Sequence, residues 1–273
     1  VRARVLPAEK LTTIALGSPR LVYIPETLTE LRSLLKENLP VIGGGSNTVL
    51  SDESGKPLIS LSGFKKIEIS GSFLTAGAGV RLREVLRLQL KHKFSLFEFL
   101  AGVPRATVGG LIAQNAGAYG QEVKAKLVEV KFLSLDSLEL EVLRDFSSFG
   151  YRDSPFPKAG AVVEATFRIL PLPEAKKAVS GFVRKRLSSQ PPFHLKTCGC
   201  VFKNPPGESA GRLLDIAGLK GFRVGGVRFS EKHANFVLNE GGTFDDFRRL
   251  LEIATEKVAK LFGVELSVEV KVV

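Results

Sequence analysis

The chain has 273 residues, 44% of them hydrophobic, enough for a substantial core and suited to two domains or one large domain with a smaller partner. Its apolar runs fall short of the ~20 residues a membrane helix needs, and Val1-Arg2-Ala3-Arg4-Val5 lacks the continuous apolar stretch of a secretory signal, so a cytoplasmic protein with no membrane partner is expected. A net charge of +11 attracts anions such as nucleic acid, acidic lipid or phosphorylated small molecules, although no Trp and only three Tyr supply a single-strand stacking platform poorly.

In chain order, the first clear element is an amphipathic helix within Pro25 to Asn38, where Thr27 and Glu30 make a capping-box pattern and Leu28, Leu31, Leu34 and Leu35 share a face. A short buried strand, Leu39-Pro40-Val41-Ile42, leads into Gly43-Gly44-Gly45-Ser46-Asn47, and Thr48-Val49-Leu50 favours a strand after it. Leu58 to Leu61 is a strand, and Gly71-Ser72 joins Ile67-Glu68-Ile69 to Phe73-Leu74-Thr75 as a hairpin. Leu82 to Leu90 has helical spacing, and Ser95 to Leu100 adds a shorter helix before Gly102-Val103-Pro104. Strands follow at Val128, Val130 and Phe132, at Leu138, Leu140 and Val142, and from Ala161 to Ile169. Pro171-Leu172-Pro173 interrupts the chain and marks a domain boundary.

Beyond it come a helix from Glu174 to about Ser188, a second from Ser209 to Ala217 stopped by Gly218, and strands around Arg223 to Phe229 and Ala234 to Leu238. The last helix starts at Thr243, with Asp246 completing a cap, and ends at Gly263. A closing strand is expected to put Val264, Leu266, Val268, Val270 and Val272 on one face and Glu269 on the other.

Taken singly, the chemistry-bearing residues favour plain readings. Gly43-Gly44-Gly45-Ser46-Asn47 suits a phosphate or a simple turn, and it lacks the spacing of a P-loop or of a dinucleotide fingerprint. A second glycine-rich stretch, from Val108-Gly109-Gly110 through Asn115-Ala116-Gly117-Ala118-Tyr119-Gly120, favours a long diphosphate-containing cofactor. Arg152 reads as a surface cation beside Asp153. Cys198-Gly199-Cys200 is too short a span for an unstrained disulfide. With His194 it offers half a zinc site, but a fourth ligand would have to be distant, so no metal is expected.

Read together, these segments resemble the UDP-N-acetylenolpyruvoylglucosamine reductase family over nearly the whole chain. The carriers are the two glycine-rich stretches, Tyr151-Arg152-Asp153-Ser154-Pro155-Phe156, Gly199-Cys200-Val201-Phe202-Lys203-Asn204-Pro205, Ala210-Gly211-Arg212-Leu213-Leu214-Asp215, Gly218-Leu219-Lys220-Gly221 and Ser230-Glu231-Lys232-His233-Ala234-Asn235-Phe236. The resemblance implies an α+β fold, with FAD-binding lobes of the vanillyl-alcohol-oxidase type at 1–65 and 66–172 and an α/β substrate-binding domain at 173–273. It implies an oxidoreductase that uses FAD and NADPH on a UDP-sugar carrying an enolpyruvyl ether, and a monomer is expected. Arg152, Cys200 and Glu269 would carry the chemistry. Gly43, Gly44, Gly45, Ser46, Asn47, Thr107, Val108, Gly109, Asn115, Ala116, Gly117 and Val162 would hold the flavin, and Tyr151, Lys203, Asn204, Lys220 and His233 the substrate.

Three departures from the family pattern stand out. Arg105-Ala106 replaces a single small residue, Gln114 a methionine, and Cys200 the serine of many members, at the position of the proton donor. The competing readings are an oxygen-using oxidase on the same flavin fold, which leaves Cys200 and Glu269 without a purpose, and a basic nucleic-acid-binding module, which rests on charge alone.

Overall fold

A computed structural model describes residues 1–273. By packing, the chain forms two units, each with its own apolar core. The first takes Val1–Val5, Leu21–Gly44 and Lys56–Arg184, and the second takes Leu6–Arg20, Gly45–Gly55 and Lys185–Val273. The expected division at Pro171 follows the sequence; the packing division falls later, inside the helix Ala175–Ser189. It also assigns two N-terminal segments to the C-terminal half, and nothing in their composition announced that.

The first unit is built on a five-stranded antiparallel sheet in the order Leu140–Leu143, Leu127–Ser134, Gly160–Arg168, Phe73–Gly77, Ile67–Ser70. The expected hairpin is present, with Ser70 opposite Phe73 and Gly71 at φ +56°, a conformation glycine adopts without steric cost. The helix Leu28–Lys36 buries Leu31, Leu34 and Leu35, and Thr27 caps it by accepting from Glu30 N–H at 3.2 Å. The Glu30 carboxylate reaches back to Glu26 N–H at 2.8 Å, one residue beyond the usual box.

One expectation about a buried face fails here. Val41 is 40% exposed, so the strand Val41–Ile42, at the edge of its sheet, buries only Ile42. Edge strands have one covered side, and period-2 patterning cannot say which set of residues faces it. The segment around Ser95 to Leu100 forms only a short 3₁₀ turn, Glu98–Leu100, fixed by the buried Glu98 carboxylate, which accepts from Ser95 Oγ, Leu96 N–H and Gln89 Nε2.

The second unit holds an antiparallel sheet in the order Thr197–Cys200, Phe236–Asn239, Val227–Phe229, Arg223–Val224, packed with the helices Ala210–Ile216 and Phe244–Phe262. Ile14, Leu16 and Val49 from the N-terminal segments are fully enclosed in this core. Asn239 ties the first of these segments down, its Nδ2 donating to the carbonyls of Ile14 and Ala15 at 2.9 and 3.2 Å. Thr13 Oγ1 donates to Thr197 C=O at 2.6 Å.

The expected long C-terminal strand is not formed. Only Lys271–Val272 pairs, parallel to Thr48–Val49. Val268 and Val272 are exposed, whereas Leu266, Glu269 and Val270 are buried. Two consecutive buried residues break the alternation, because the chain leaves a bridge at Phe202 to join a different strand.

Candidate active site

In the first unit the two glycine-rich stretches meet. A Cβ on Gly43 would stand 2.9 Å from Thr107 Oγ1 and 3.3 Å from Gly110 Cα, and one on Gly44 would overlap the Arg105 carbonyl. Gly44 is therefore required by close backbone approach, and Gly43 is crowded by the Thr107 hydroxyl. Thr107 caps the helix Val108–Ala113 by accepting from Gly110 N–H, and the amides of Val108 and Gly109 are already used, donating to Val80 C=O and Ala78 C=O. Val162 is buried in the central strand opposite Phe132.

Asn115, Ala116 and Gly117 sit beside the turn that carries Arg152. Asn115 is fully buried; its Nδ2 donates to Gly150 C=O at 2.8 Å and to Glu122, and its Oδ1 accepts from Lys124 N–H. Its side chain is thus spent within the protein. Arg152 occupies left-handed backbone at φ +54°, uncommon for a residue with a Cβ. The turn is closed by reciprocal backbone bonds between Gly150 and Asp153, by Ser154 Oγ donating to Ala113 C=O, and by the Arg152 guanidinium donating to Gly117 C=O at 2.7 Å. That guanidinium lies 5.1 Å from the ring centre of Tyr151, itself exposed.

In the second unit the structure brings Cys200, Glu269 and Asn47 onto neighbouring stretches of chain. Glu269 N–H donates to Val201 C=O at 2.8 Å, and Lys203 N–H to Ser267 C=O. Asn47 Nδ2 donates to Glu269 C=O at 3.4 Å, while Asn47 C=O accepts from Lys271 N–H. Gly45 is at φ +69°, and its carbonyl accepts from Thr13. A Cβ there would overlap Leu11 C=O. A Cβ on Gly199 would come within 3.9 Å of Ser46 C=O.

Between Thr197 and Cys200 the strand slips register, with Gly199 at φ +83°. Neither cysteine is in a disulfide: Cys198 is in the core, and Cys200 is half-buried. Burial pushes the Cys198 thiol well above the usual cysteine range, and the nearby Cys200 and Glu269 add to the effect.

The expected substrate residues form a second group in this unit. His233 packs over Gly211, where a Cβ would lie 2.9 Å from Cε1, and its Nδ1 accepts from Asn235 N–H at 3.3 Å. Burial holds His233 below the ordinary imidazole value, and the Lys220 charge lowers it further. Lys220 pairs with Asp215 at 2.6 Å, both exposed, and Asn204 Oδ1 accepts from Ala210 N–H. Arg152 belongs to the first unit and Cys200 and Glu269 to the second. Asn235 had no role in the sequence reading, although it lies within a quoted motif. Its burial is what sets it apart, and a polar residue between His233-Ala234 and Phe236 gives no such signal in advance.

The residues present fit a bound dinucleotide. Two glycine-rich stretches converge in the first unit, and Gln114 Nε2, just before Asn115, is buried with no partner in the protein. A bound polar ligand is one way such a group is satisfied.

Comparison with known proteins gives the same picture. The family described as "FAD binding domain" matches residues 19–138, and that described as "UDP-N-acetylenolpyruvoylglucosamine reductase, C-terminal domain" matches residues 190–273. The UDP-N-acetylenolpyruvoylglucosamine reductase of Aquifex aeolicus is 40% identical, covering 98% of this chain and 94% of that protein. Its counterpart from Streptococcus pneumoniae is 37% identical, covering 94% and 88%. The crystal structure of the Thermus caldophilus enzyme superposes with a TM-score of 0.85 at 32% identity, over 99% of this chain and 98% of that one. The fold is thus the α+β FAD-binding fold with a C-terminal domain that the sequence led us to expect. The chain belongs to the UDP-N-acetylenolpyruvoylglucosamine reductase family.

Proposed function

We propose that this chain catalyses the NADPH-dependent, FAD-mediated reduction of UDP-N-acetylglucosamine enolpyruvate to UDP-N-acetylmuramate, a step in peptidoglycan precursor synthesis. The observation that carries the reading is end-to-end similarity to the Aquifex aeolicus reductase, 40% identical over 98% of this chain. FAD, when bound, supplies the hydride relay between NADPH and the enolpyruvyl double bond. The chain's own residues bind, orient and protonate. Segments 1–65 and 66–172 serve the flavin and 173–273 the UDP-sugar. The protein works in the cytoplasm as a monomer with no nucleic-acid partner, and its net charge of +11 draws in the anionic ligands.

Cys200 holds a proton at Sγ and delivers it to the substrate carbon beside the carboxylate. The residue is half-buried at a bulge, whereas Cys198 is enclosed in the core. Arg152 presents a planar cation to the substrate carboxylate, on which charge grows during the reaction. The left-handed turn and its bonds to Gly117, Asn115 and Ala113 hold that cation still. Glu269, buried on the chain beside Val201, supplies a further hydrogen-bonding group. Lys203, Asn204, Lys220 and His233 hold the diphosphate and sugar, and His233, kept neutral by burial, offers an N–H donor. Gly43 to Asn47, Thr107 to Gly109, Asn115 to Gly117 and Val162 line the flavin.

The test is anaerobic. NADPH should bleach the flavin absorbance, and UDP-N-acetylglucosamine enolpyruvate added afterwards should restore it with formation of UDP-N-acetylmuramate. Restoration by oxygen alone, with the enolpyruvyl compound inert, would favour an oxidase.

A further inference from the structure

We propose that Asn235 is a positioning residue for proton delivery, holding the Cys200 segment through its side-chain amide. The proposal rests on the reading of Cys200 as proton donor. Asn235 is 2% exposed, and both ends of its amide are used on one residue: Oδ1 accepts from Phe202 N–H at 3.0 Å, and Nδ2 donates to Phe202 C=O at 2.8 Å. Its own carbonyl accepts from Val201 N–H at 2.9 Å.

The need for these bonds comes from the bulge. Thr197 is opposite Leu238 and Cys200 opposite Phe236, so the ladder slips between them. Beyond Cys200 the partner chain turns away: Phe236 N–H donates to His233 C=O, and Phe236 C=O accepts from Ser230 N–H. Val201 N–H still reaches the Asn235 carbonyl, but Phe202 then meets the Asn235 side chain on that side where a regular ladder would offer backbone. The Asn235 side chain takes the place of the missing strand. On the opposite side Val201 C=O accepts from Glu269 N–H, and Phe202 bridges to Val268. Val201 and Phe202 are therefore gripped from both flanks, and the Sγ of the preceding residue, at a bulge that gives it no regular ladder, takes its position from that grip. The far side of Asn235 has a different task. Its backbone N–H donates to His233 Nδ1, which leaves the proton of the neutral ring on Nε2. Any substitution at 235 other than proline keeps this N–H, so substrate contact through His233 is insulated from loss of the side chain.

The experiment is a double-mutant cycle on the FAD-loaded enzyme, with reduction by NADPH and reoxidation by the enolpyruvyl substrate followed separately. Asn235→Ala should slow reoxidation by about 100-fold, the scale of an impaired general acid, with reduction by NADPH and the substrate KM each within about 3-fold. Cys200→Ala should slow reoxidation at least as much, and adding Asn235→Ala to it should cost no more than about another 3-fold, because a residue that acts through another has nothing further to lose. Losses that multiply, or equal slowing of both half-reactions, overturn the proposal. Near-parental reoxidation in Asn235→Ala alone, with Cys200→Ala slow, also overturns it while leaving the proton-donor reading intact. Near-parental reoxidation in Cys200→Ala sinks both.

Should Asn235→Ala fail to fold, Asn235→Asp carries the test. A carboxylate keeps the acceptor for Phe202 N–H but faces Phe202 C=O with a second oxygen, and only the protonated acid restores a donor there. Reoxidation by Asn235→Asp, relative to the parent enzyme at the same pH, should then rise as pH falls. A flat ratio counts against the proposal.

Discussion

Cys198 and Cys200 are separated by one glycine, yet the register slip at Gly199 gives them different chemistry. Cys198 is enclosed in the core with its thiol pushed up by burial, and a neutral, inaccessible thiol is a poor nucleophile. Iodoacetamide should therefore label only Cys200 in the folded protein, and equal labelling of both would contradict the assignment of surroundings. Cys200→Ser should stay active, since a hydroxyl also carries a proton, whereas Cys198→Ala should keep near-parental turnover and lose about 1 kcal/mol of stability to the small cavity it leaves. His233 offers a pH signature. Its folded value lies below the unfolded one, ~6.5, so between the two the unfolded chain binds more protons and stability rises with pH. The contribution is fully present above about pH 6.5 and lost as pH falls through the folded value. In denaturant melts between pH 7.5 and 5, His233→Gln should flatten this acid-side decline; an unchanged slope would show that another group causes it.

Among the elements, the helix Phe244–Phe262 was the most legible, because its signals are local. Thr243 and Asp246 exchange side-chain to backbone bonds, Gly263 closes the far end at φ +66°, and the Phe247, Leu250, Leu251, Ala254, Val258 stripe faces the core. Thr243→Ala should cost about 1 kcal/mol and lower Tm by roughly 2–4 °C; no shift in a calorimetric scan would mean that the cap is redundant. The Gly71 hairpin and the Thr27 cap were legible for the same reason. The C-terminal valines were not, because whether Val268 or Glu269 is buried depends on Phe202 and Thr48, more than sixty residues away in sequence, and alternation carries no information about partners. The same limit hid the side-chain partners of Asn115. Its motif could be read, while the bonds of its side chain to Gly150, Glu122 and Lys124 needed the fold. Gly43 and Gly44 were recognised as a phosphate-type stretch, while the steric reason for Gly44, the Arg105 carbonyl against its Cα, needed the fold. Gly44→Ala should therefore lower the Tm of the flavin-free protein as well as its FAD content; loss of FAD with an unchanged apo-protein Tm would show that the strain is relieved locally.

At the scale of the whole molecule, the main feature is that the second core is closed by residues from the other end of the chain. Ile14 and Val49 are 0% exposed and Leu16 is 1% exposed within it. Each buried aliphatic side chain contributes roughly 1.5–3 kcal/mol, so removing three of them takes away an amount comparable to the ~5–15 kcal/mol that holds a domain together. A fragment of residues 185–273 should accordingly show no cooperative thermal transition, although it contains every residue matched by the C-terminal family description; a sharp melt with native-like far-UV dichroism would refute this. The same arrangement imposes an order in time on the ribosome. The Ile14 and Leu16 segment is made before the rest of its core, of which Leu250, Val258 and Val270 come more than two hundred residues later. At ~5–20 residues per second, this apolar stretch stays without its core for roughly 10–50 s. During that interval a holdase chaperone has a defined target, and aggregation has a defined starting point.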